Sequence, residues 1–353
     1  MPTPDPARPA DPNARATQAP PRRKRLTLRD VAAHCGVSVS TVSMALNAKD
    51  VSCTLSEATR DRIRAEAKTL GYRPNWRARA MRQQVSMCVG LFYESEAPKV
   101  QGVYDDMVSR FNHVLRDAGY HLLFLPLDRD TWADAAQGQQ IDGFAMLQHV
   151  SDDVERDVID DPLPGVVMNA APIDRVSVIN IDDHLGARLA VEHLGGLGHR
   201  RVAFLTASHP TEEPHISADE RLRGYRDTLA GLPGAGPPDV VRDGDAALAA
   251  VRERGATAVV CYSDREAVPL LQRFWNAGLT VGRDVSVVAF NELDHSRYQI
   301  PALTTVAVPA GEVGHRSGTR LLQLMRGEPI EGDRVVRLRP HLIERDSTGP
   351  APA

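Results

Sequence analysis

Residues 26–47 read LTLRDVAAHCGVSVSTVSMALN, and this stretch decides the fold of the first part of the chain. Apolar residues recur at helical spacing on both sides of Gly36, which predicts two short helices joined by a tight turn. Ser38 is placed to cap the second helix, because an N-cap serine accepts a hydrogen bond from the first turn. A short helix with a small polar outer face, held against another helix, fits the major groove of DNA. The stretch therefore predicts a helix-turn-helix.

The charge of the chain is divided unevenly. The 353 residues include 42 Lys or Arg and 46 Asp or Glu, which gives a formal net charge of −4. Residues 22–82 hold 14 basic and 5 acidic residues, a balance of +9, whereas residues 83–353 hold 26 and 39, a balance of −13. A basic head on an acidic body indicates that the head alone meets a polyanion.

Composition and motifs exclude several classes of protein. No apolar run approaches the ~20 residues that a membrane span needs, and the polar, Pro-rich start is not a signal peptide. The four cysteines form no Cys-x-x-Cys pair, which argues against structural zinc and a disulfide framework and favours a reducing cytoplasm. Nucleophile elbows, phosphate-cradling loops and His-x-x-x-His pairs are absent from the sequence, so we expect no enzyme, no metal and no cofactor.

From residue 87 onward, strand-like apolar runs alternate with amphipathic helices. We identify eight strand candidates, from Cys88–Phe92 to Val285–Phe290, with helical segments between them. This alternation predicts mainly parallel, doubly wound sheets that are covered on both faces. Eight strands exceed one small sheet, so we expect two α/β lobes with a cleft between them, a common place for small ligands.

Nine motifs in one order carry a resemblance to a known family. They are TLRDVAAHCGVSVSTVSMALN at 27–47, SEATRDRI at 56–63, LGYRPN at 70–75, ARAM at 78–81, IDDHLGARLAVEHLGGLGHRRVAFL at 181–205, ERLRGY at 220–225, YSDREA at 262–267, GRDVSVVAFNELD at 282–294 and PALTTV at 301–306. From Leu26 to Thr348 the chain resembles the LacI family of bacterial transcription regulators. The resemblance implies a multidomain protein with an all-α three-helix head, a hinge helix and a periplasmic-binding-protein-like α/β core of two doubly wound lobes.

The expected organisation has five parts. They are a disordered, basic-ended tail at 1–25, the helix-turn-helix domain at 26–73, the hinge helix and linker at 74–86, the two-lobe effector-binding and dimerisation core at 87–348, and a tail at 349–353. The loop at 48–54 is longer than the family's usual spacer by about three residues. The extra length is expected to be a tolerated insertion, because lengthening a loop has a small entropic cost, and an added contact to the DNA backbone is the alternative.

The resemblance also assigns the residues that meet DNA. Base reading falls to Val39, Ser40 and Met44. Met44 replaces a frequent family arginine and offers only apolar contact, for instance to a thymine methyl group; a core position is its alternative. Another set of residues matches family positions that mostly bind phosphates: Thr27, Ser38, Thr41, Ser43, Asn47, Ser56, Thr59 and Tyr72. Ser38 and Ser56 fit the role of helix cap equally well. The hinge helix would begin at Asn75 and enter the minor groove. Met81 would be its apolar wedge, Ala78 would allow close packing between the two hinges, and Arg79 would reach phosphates.

For the effector, the resemblance points to the cleft residues Arg221, Asp264, Asn291, Tyr104, Asn169 and Ser263. Asn291 and Asn169 stand where sugar-binding members often carry aspartate, a change that is compatible with a neutral polyol and also favours an acidic ligand beside Arg221. A structural role is the alternative: Arg221 could pair with Glu220 or with an interface acid, and Asp264 could cap a helix.

The expected function is that of a sequence-specific DNA-binding transcriptional regulator, a repressor that binds a palindromic operator as a homodimer. A small, sugar-like metabolite in the interlobe cleft would control it, in the cytoplasm at the nucleoid and without a membrane partner. The alternative is a small-molecule binding protein of the transport type without a transcriptional role. The basic head and the missing signal peptide count against that alternative.

Overall fold

The computed structural model describes residues 26–47, 55–72, 85–93, 102–147, 152–206, 215–330 and 332–352. The chain divides into two compact units, Met1–Arg82 and Gln83–Ala353. The predicted tail, the 48–54 loop and the hinge residues Asn75, Ala78, Arg79 and Met81 lie outside the described residues. Among the helices that are described, none combines the length and the hydrophobicity that a membrane crossing requires.

The first unit contains the predicted helix-turn-helix. Its helices are α1 (Leu28–Cys35), α2 (Val39–Asn47) and α3 (Glu57–Thr69). Thr27 and Asp30 form a reciprocal capping box that begins α1, and Gly36 ends that helix in a left-handed conformation with φ 66°. The three helices enclose a small apolar core, formed by Val31, Ala32, Val42, Ala45, Ile63 and Ala67.

The second unit contains two six-stranded sheets. The first sheet and its helices, here the N-lobe, has the order β11-β5-β4-β3-β1-β2, and all its neighbouring strands are parallel. Its strands are β1 (Cys88–Tyr93), β2 (His121–Pro126), β3 (Gly143–Met146), β4 (Gly165–Met168), β5 (Ser177–Ile181) and β11 (Val335–Leu338). The helices are α4 (Val103–Asp117), α5 (Arg129–Ala136), α6 (Asp152–Asp160) and α11 (Ala310–Met325).

The second sheet and its helices form the C-lobe. The strand order is β12-β10-β9-β8-β6-β7, and β12 alone pairs antiparallel in it. Its strands are β6 (Val202–Leu205), β7 (Asp239–Val241), β8 (Ala258–Cys261), β9 (Ser286–Asn291), β10 (Thr304–Ala307) and β12 (His341–Ile343). Its helices are α7 (Asp183–Gly196), α8 (Ile216–Gly231), α9 (Gly244–Arg252) and α10 (Asp264–Asn276).

Short connections join the two lobes. The chain passes from β5 to α7, from β10 to α11 and from β11 to β12, each time within two intervening residues. Apolar clusters cover both faces of each sheet, as a parallel sheet requires. The prediction of a helix-turn-helix head with a doubly wound, two-lobe α/β core is therefore confirmed.

The last residues of the chain pack onto the C-lobe. Ser347 Oγ accepts a hydrogen bond from Thr304 N at 2.8 Å and donates one to Val287 O at 2.6 Å. Gly349 O accepts from His199 Nε2 at 3.0 Å, and Ala351 N donates to Leu197 O at 2.9 Å. The hydrogen bonding thus extends into 349–353, the segment that the sequence analysis assigned to a tail.

Candidate functional site

The candidate DNA-reading surface is the outer face of α2. Val39 and Met44 keep 41% and 40% of their surface exposed, and Ser40 is exposed between them. On the opposite face, Val42 and Ala45 are fully buried against the other two helices. All three predicted base readers therefore lie on the solvent side, and the alternative core position for Met44 is excluded.

Hydroxyl groups cluster at the amino-terminal end of α2. Ser38 Oγ accepts a hydrogen bond from Thr41 N at 3.1 Å and lies 2.7 Å from Ser40 Oγ and 2.8 Å from Thr41 Oγ1. Ser56 begins α3 in the same way, accepting from Thr59 N at 3.3 Å. Both serines are thus helix caps, and a helix amino terminus is also where backbone N–H groups meet an anion.

The other predicted phosphate-binding residues of the head are distributed along its helices. Thr27 precedes α1, Asn47 ends α2, and Tyr72 N donates to Ala67 O at 2.9 Å just after α3. The partly buried residues of this set are Thr41, Ser43, Thr59 and Tyr72. These positions come from both ends of the helices, an arrangement compatible with the expected phosphate contacts, which fix orientation on a duplex without reading bases.

Arg221 on α8 is the centre of the cleft. Its Nε donates to Asp183 Oδ1 at 2.7 Å, one terminal nitrogen to Tyr262 O at 2.6 Å, and the other to Asn291 Oδ1 at 3.2 Å. The guanidinium carbon lies 4.4 Å from the centre of the Phe290 ring. Both charges of the Arg221–Asp183 pair are buried, so this wall of the cleft is close to neutral. Of the alternative partners expected from the sequence, Glu220 is wrong, and the acid that pairs with Arg221 is Asp183.

A hydrogen-bonded chain runs from Tyr262 to the N-lobe through His215, a residue that the sequence analysis missed. His215 Nε2 donates to Asn169 O at 2.5 Å, and its Nδ1 lies 2.7 Å from Ser217 Oγ. Burial lowers the pKa of His215, so the imidazole is neutral and Nδ1 accepts. Ser217 Oγ then donates to Nδ1 and accepts from the Tyr262 hydroxyl at 2.8 Å. In the sequence, His215 follows a proline and belongs to no motif, so its hydrogen bond to the N-lobe could not be predicted.

Asp264 and Ser263 lie together at the start of α10, yet their side chains differ in role. Ser263 caps the helix, because its Oγ accepts from Arg265 N at 3.2 Å. The Asp264 carboxylate is fully buried and accepts from Leu293 N at 2.8 Å and Thr305 Oγ1 at 3.1 Å. Burial raises its pKa to about 6. Asp264 therefore fixes the loop that follows β9, and Ser263 rather than Asp264 is the helix cap.

Asn291 and Asn169 hold unusual backbone conformations on the two sides of the cleft. Asn291, with φ 99°, ends β9, and Asn169, with φ 51°, follows β4. Non-glycine residues in this region are uncommon and concentrate at functional sites. The neighbouring Glu292 has φ 59°, and its carboxylate receives two hydrogen bonds from Arg345, at 2.6 and 2.8 Å. The turn that presents Asn291 is thus held by an ion pair.

Tyr104 and a cavity complete the cleft. Burial, followed by the neighbouring Tyr262, raises the pKa of Tyr104, so its phenol stays protonated. A cavity of about 950 Å³ opens beside Asn291, between the start of α4 and the start of α10. Its polar lining includes Asp105, Asp106, Ser109, Arg265, Glu292 and Asp294. The structure brings Arg221, Asn291 and Tyr104 to one site, with Asn169 linked to it through His215. Among the described residues, no group of three or more His, Cys, Asp or Glu could hold a metal ion.

Two family models match separate parts of the chain. Residues 27–75 match the model for bacterial regulatory proteins of the lacI family, and residues 191–348 match the periplasmic binding protein-like domain. The first match includes the head with its exposed α2 face, and the second includes Arg221, Asp264 and Asn291. The two matches thus cover the head and the C-lobe side of the cleft, whereas Tyr104 and Asn169 lie outside both.

Relatives match over nearly their whole length. The transcriptional regulator GalR of Escherichia coli (strain K12) is 30% identical over 342 residues, which covers 91% of this chain and 95% of GalR. The regulator CelR of Thermobifida fusca is 29% identical, covering 92% and 99%.

Solved structures agree with these relatives. A lac repressor dimer bound to operator and the anti-inducer ONPF matches at 25% identity with a TM-score of 0.74, covering 92% of this chain and all of that one. A CelR–cellobiose complex matches at 27% with a TM-score of 0.62 over the same shares. These relatives are regulators of transcription rather than enzymes, and the chain, with its helix-turn-helix head and two-lobe core, belongs to the LacI family of bacterial regulatory proteins.

Proposed function

We propose that this protein is a sequence-specific transcriptional repressor that binds a palindromic operator as a homodimer and responds to a small, neutral, sugar-like effector. The observation that carries the proposal is the exposed face of α2, which is held on a closed apolar core and carries no charged side chain. Such a face can enter the major groove while the basic residues around it meet phosphates. A DNA partner puts its place of action in the cytoplasm, at the nucleoid.

The residues that we assign to DNA are those expected from the sequence. Val39, Ser40 and Met44 read bases. The backbone is met by Thr27, Ser38, Thr41, Ser43, Asn47, Ser56, Thr59 and Tyr72. In the hinge segment of 74–86, the assignment covers Asn75, Ala78, Arg79 and Met81. We keep the proposed boundaries of the head at 26–73 and the start of the core at 87, and we extend the end of the core from 348 to Ala351, which bonds to Leu197 O.

The cleft favours a neutral polyol over an acidic ligand. The positive charge of Arg221 is already balanced by the buried carboxylate of Asp183, so it offers little net attraction to an anion. The adjoining cavity is lined by Asp105, Asp106 and Asp294, whose carboxylates accept hydrogen bonds from hydroxyl groups and repel acids, whereas the charge of Glu292 beside them is balanced by Arg345. We assign effector contact to Arg221, Asn291, Tyr104 and Asn169, and give Asp264 and Ser263 the task of positioning the loop and helix behind them.

A homodimer is supported by exposed apolar side chains on the C-lobe. Tyr298 and Ile300 are 76% and 96% exposed, close together in the chain after β9, and Trp275 near the end of α10 is 76% exposed. Tyr298 and Ile300 are two residues apart in the chain and both largely exposed, which supports an apolar surface that a partner covers. A second copy is the natural partner, since a palindromic operator has the two-fold symmetry of a dimer.

The test of DNA binding begins with selection of duplexes from a random library by the purified full-length protein. We expect a palindromic site whose affinity falls steeply with salt, because phosphate contacts release counterions. A truncated protein that starts at Val85 is the control and should stay folded and dimeric without binding the site. Failure to enrich any site, or equal binding by the truncated protein, would overturn the proposal and favour a binding protein of the transport type.

The test of the effector uses the same protein and the selected site. Neutral mono- and disaccharides, with ribose and cellobiose among them, are compared with sugar acids and sugar phosphates by thermal shift and by release of DNA. We expect a neutral compound to stabilise the core and to change operator affinity. Arg221→Met should abolish the response. Arg223→Met is the control and should leave the response intact, because Arg223 lies two residues further along α8 and its side chain is 66% exposed. A response to acids alone would contradict the assigned ligand class.

A further inference from the structure

The reading face of α2 has an unusual chemistry. Its sequence, VSTVSMALN, contains no charged residue and no glutamine, and its two large exposed side chains are the apolar Val39 and Met44. The common direct readers of guanine and adenine are Arg, Lys, Asn and Gln, because they make paired hydrogen bonds to base edges. Asn47 is the one such residue in the helix, at its last position. The exposed face before it therefore offers a duplex mainly methyl, methylene and thioether surface.

The hydroxyl groups on this face are already engaged. Ser40 Oγ lies 2.7 Å from Ser38 Oγ, which also accepts the Thr41 N–H and lies 2.8 Å from Thr41 Oγ1. One hydrogen bond of Ser40 is thus committed to the cap of its own helix. This arrangement makes Ser40 less available for hydrogen bonds to base edges. Apolar contact is then the main source of sequence specificity on this face.

We propose, on the basis of the proposed function above, that α2 selects its operator by packing Val39 and Met44 against the 5-methyl groups of thymine. In the major groove this methyl group distinguishes a thymine edge, and apolar side chains are its recognised partners. Duplex DNA is the occupant that charge favours, because residues 22–82 carry a balance of +9 around an uncharged helix. The head is thus a reader of methyl pattern, positioned by phosphate contacts.

The size of the effect follows from burial of one methyl group. Removing such a group from a buried contact weakens binding by about fourfold, the equivalent of about 0.8 kcal/mol. A symmetrical site loses one methyl in each half, so a paired replacement should weaken binding by about fifteenfold if the halves act independently. Both changes are well within the range of an anisotropy titration.

The experiment replaces thymine by deoxyuridine in the selected operator. Deoxyuridine keeps the hydrogen-bonding edges of thymine and lacks only the methyl group. Each thymine of a half-site is replaced singly and then in symmetrical pairs, and the dissociation constant of the full-length protein is measured at one salt concentration. We expect about a fourfold loss at one or two positions per half-site and no loss at the remaining thymines.

A double-mutant cycle assigns the effect to the protein side chains. Val39→Ala and Met44→Ala should each abolish the penalty at one thymine position, because the methyl group has then lost its partner. Leu26→Ala is the matched control, since Leu26 is 42% exposed in the same head but lies outside α2. Met44→Arg should replace a selected thymine by guanine. Circular dichroism of each variant confirms that the helices are retained.

The outcomes separate this inference from the proposed function. A selected operator that binds equally well with deoxyuridine at every thymine would overturn methyl reading while leaving the repressor proposal intact. A penalty that persists in both Val39→Ala and Met44→Ala would assign the effect to DNA shape and would also overturn it. If no operator is selected at all, the proposed function itself fails, and the inference fails with it.

Discussion

Arg337 on β11 donates to both carboxylate oxygens of Glu220 on α8, at 2.8 and 2.9 Å, and so joins the N-lobe to the C-lobe. A second contact from the same helix end is the hydrogen bond from His215 to the backbone oxygen of Asn169. Arg221 lies directly after Glu220 and holds the cleft wall through Asp183. The start of α8 therefore carries both a residue that we propose contacts the effector and the residues that join the lobes, so we expect occupancy of the cleft to alter the spacing of the lobes.

Replacing Arg337 with Met should loosen the closed arrangement of the lobes. The Glu220 side chain is only 9% exposed, so it loses its main partner without gaining water, while Arg337 is 44% exposed and contributes modestly. We expect a loss of about 1 kcal/mol, seen as roughly fivefold weaker effector binding in calorimetry. Small-angle scattering should show a larger radius of gyration for the ligand-free core.

Arg223→Met is the control for this effect. Arg223 also approaches Glu220, at 3.9 Å, but it is 66% exposed and belongs to the same helix, so it cannot join the lobes. Its removal should leave both the radius of gyration and the effector affinity unchanged. Equal behaviour of the two variants would show that the Glu220–Arg337 pair is an ordinary surface ion pair.

Gly314→Ala should destabilise the N-lobe, because α11 and α4 touch there through their backbones. A Cβ atom at Gly314 would lie 2.0 Å from Met107 O, so the helices would have to move apart. We expect a loss of about 1–3 kcal/mol in urea denaturation, as for other overpacked sites. Gly196→Ala, at the end of α7 with nothing within 4 Å, should be neutral or stabilising. Unaltered stability of Gly314→Ala would contradict the close helix contact.

The fold could be predicted from the sequence where the pattern is local. The helix-turn-helix and the eight strand candidates correspond to observed elements, because each shows its own periodicity or apolar run. The strands β7 and β12 lie at sheet edges and have three residues each. Three residues are too few to show the apolar run or alternation that identifies a strand in a sequence. The pairing of β11 with β5 joins residues more than 150 positions apart, and periodicity carries no information on such a contact.

The effector cleft could be predicted only in part, because some of its contacts join residues that are far apart in the sequence. Arg221 stands in a recognisable motif, but its partner Asp183 is 38 residues away and is buried only by the packing of α7 against α8. Adjacent residues on a helix point in different directions, which is why Glu220 pairs with Arg337 rather than with Arg221. The charge balance between Arg221 and Asp183 therefore could not be predicted from the sequence and is seen only in the tertiary structure.

His199→Leu should reduce both the stability of the C-lobe and its sensitivity to acid. His199 is fully buried, receives the Thr257 hydroxyl at Nδ1 and donates from Nε2 to Gly349 O, at 2.9 and 3.0 Å. Burial lowers its pKa, so the folded state stays neutral where the unfolded histidine takes up a proton. Stability from this group is present above about pH 6.5 and falls as the pH drops below that value.

Chemical denaturation at pH 7.5 and 5.5 would measure this change. His199→Leu should lose about 1–3 kcal/mol at pH 7.5, because the buried hydrogen bonds to Thr257 and Gly349 are lost, and should lose less on acidification than the unmodified protein. His184→Leu is the control, because His184 is exposed and pairs with Asp227 at the surface. An unchanged pH dependence in His199→Leu would exclude His199 as the titrating group.

Asp264→Asn should alter the pH dependence of the free energy of unfolding in the direction opposite to His199→Leu. Burial raises the pKa of Asp264 to about 6 in the folded protein, from 3.8, so the folded state binds a proton more readily than the unfolded state. The group therefore stabilises the fold increasingly as the pH falls from above 6 towards 4, by up to about 3 kcal/mol. Asparagine keeps an acceptor for Leu293 N and offers a donor to the Thr305 hydroxyl, so both hydrogen bonds can be retained in the variant.

The expected result is a free-energy difference between variant and unmodified protein that changes with pH. Asp264→Asn should be the more stable at pH 7.5, because it avoids a buried charge, and its advantage should shrink by about 1.4 kcal/mol between pH 7.5 and pH 5. Asp284→Asn is the matched control: Arg283 lowers the pKa of the exposed Asp284 to about 2, so its titration lies below this window. Its difference from the unmodified protein should therefore be constant between pH 5 and 7.5. A constant difference for Asp264→Asn as well would mean that the buried carboxylate does not titrate there.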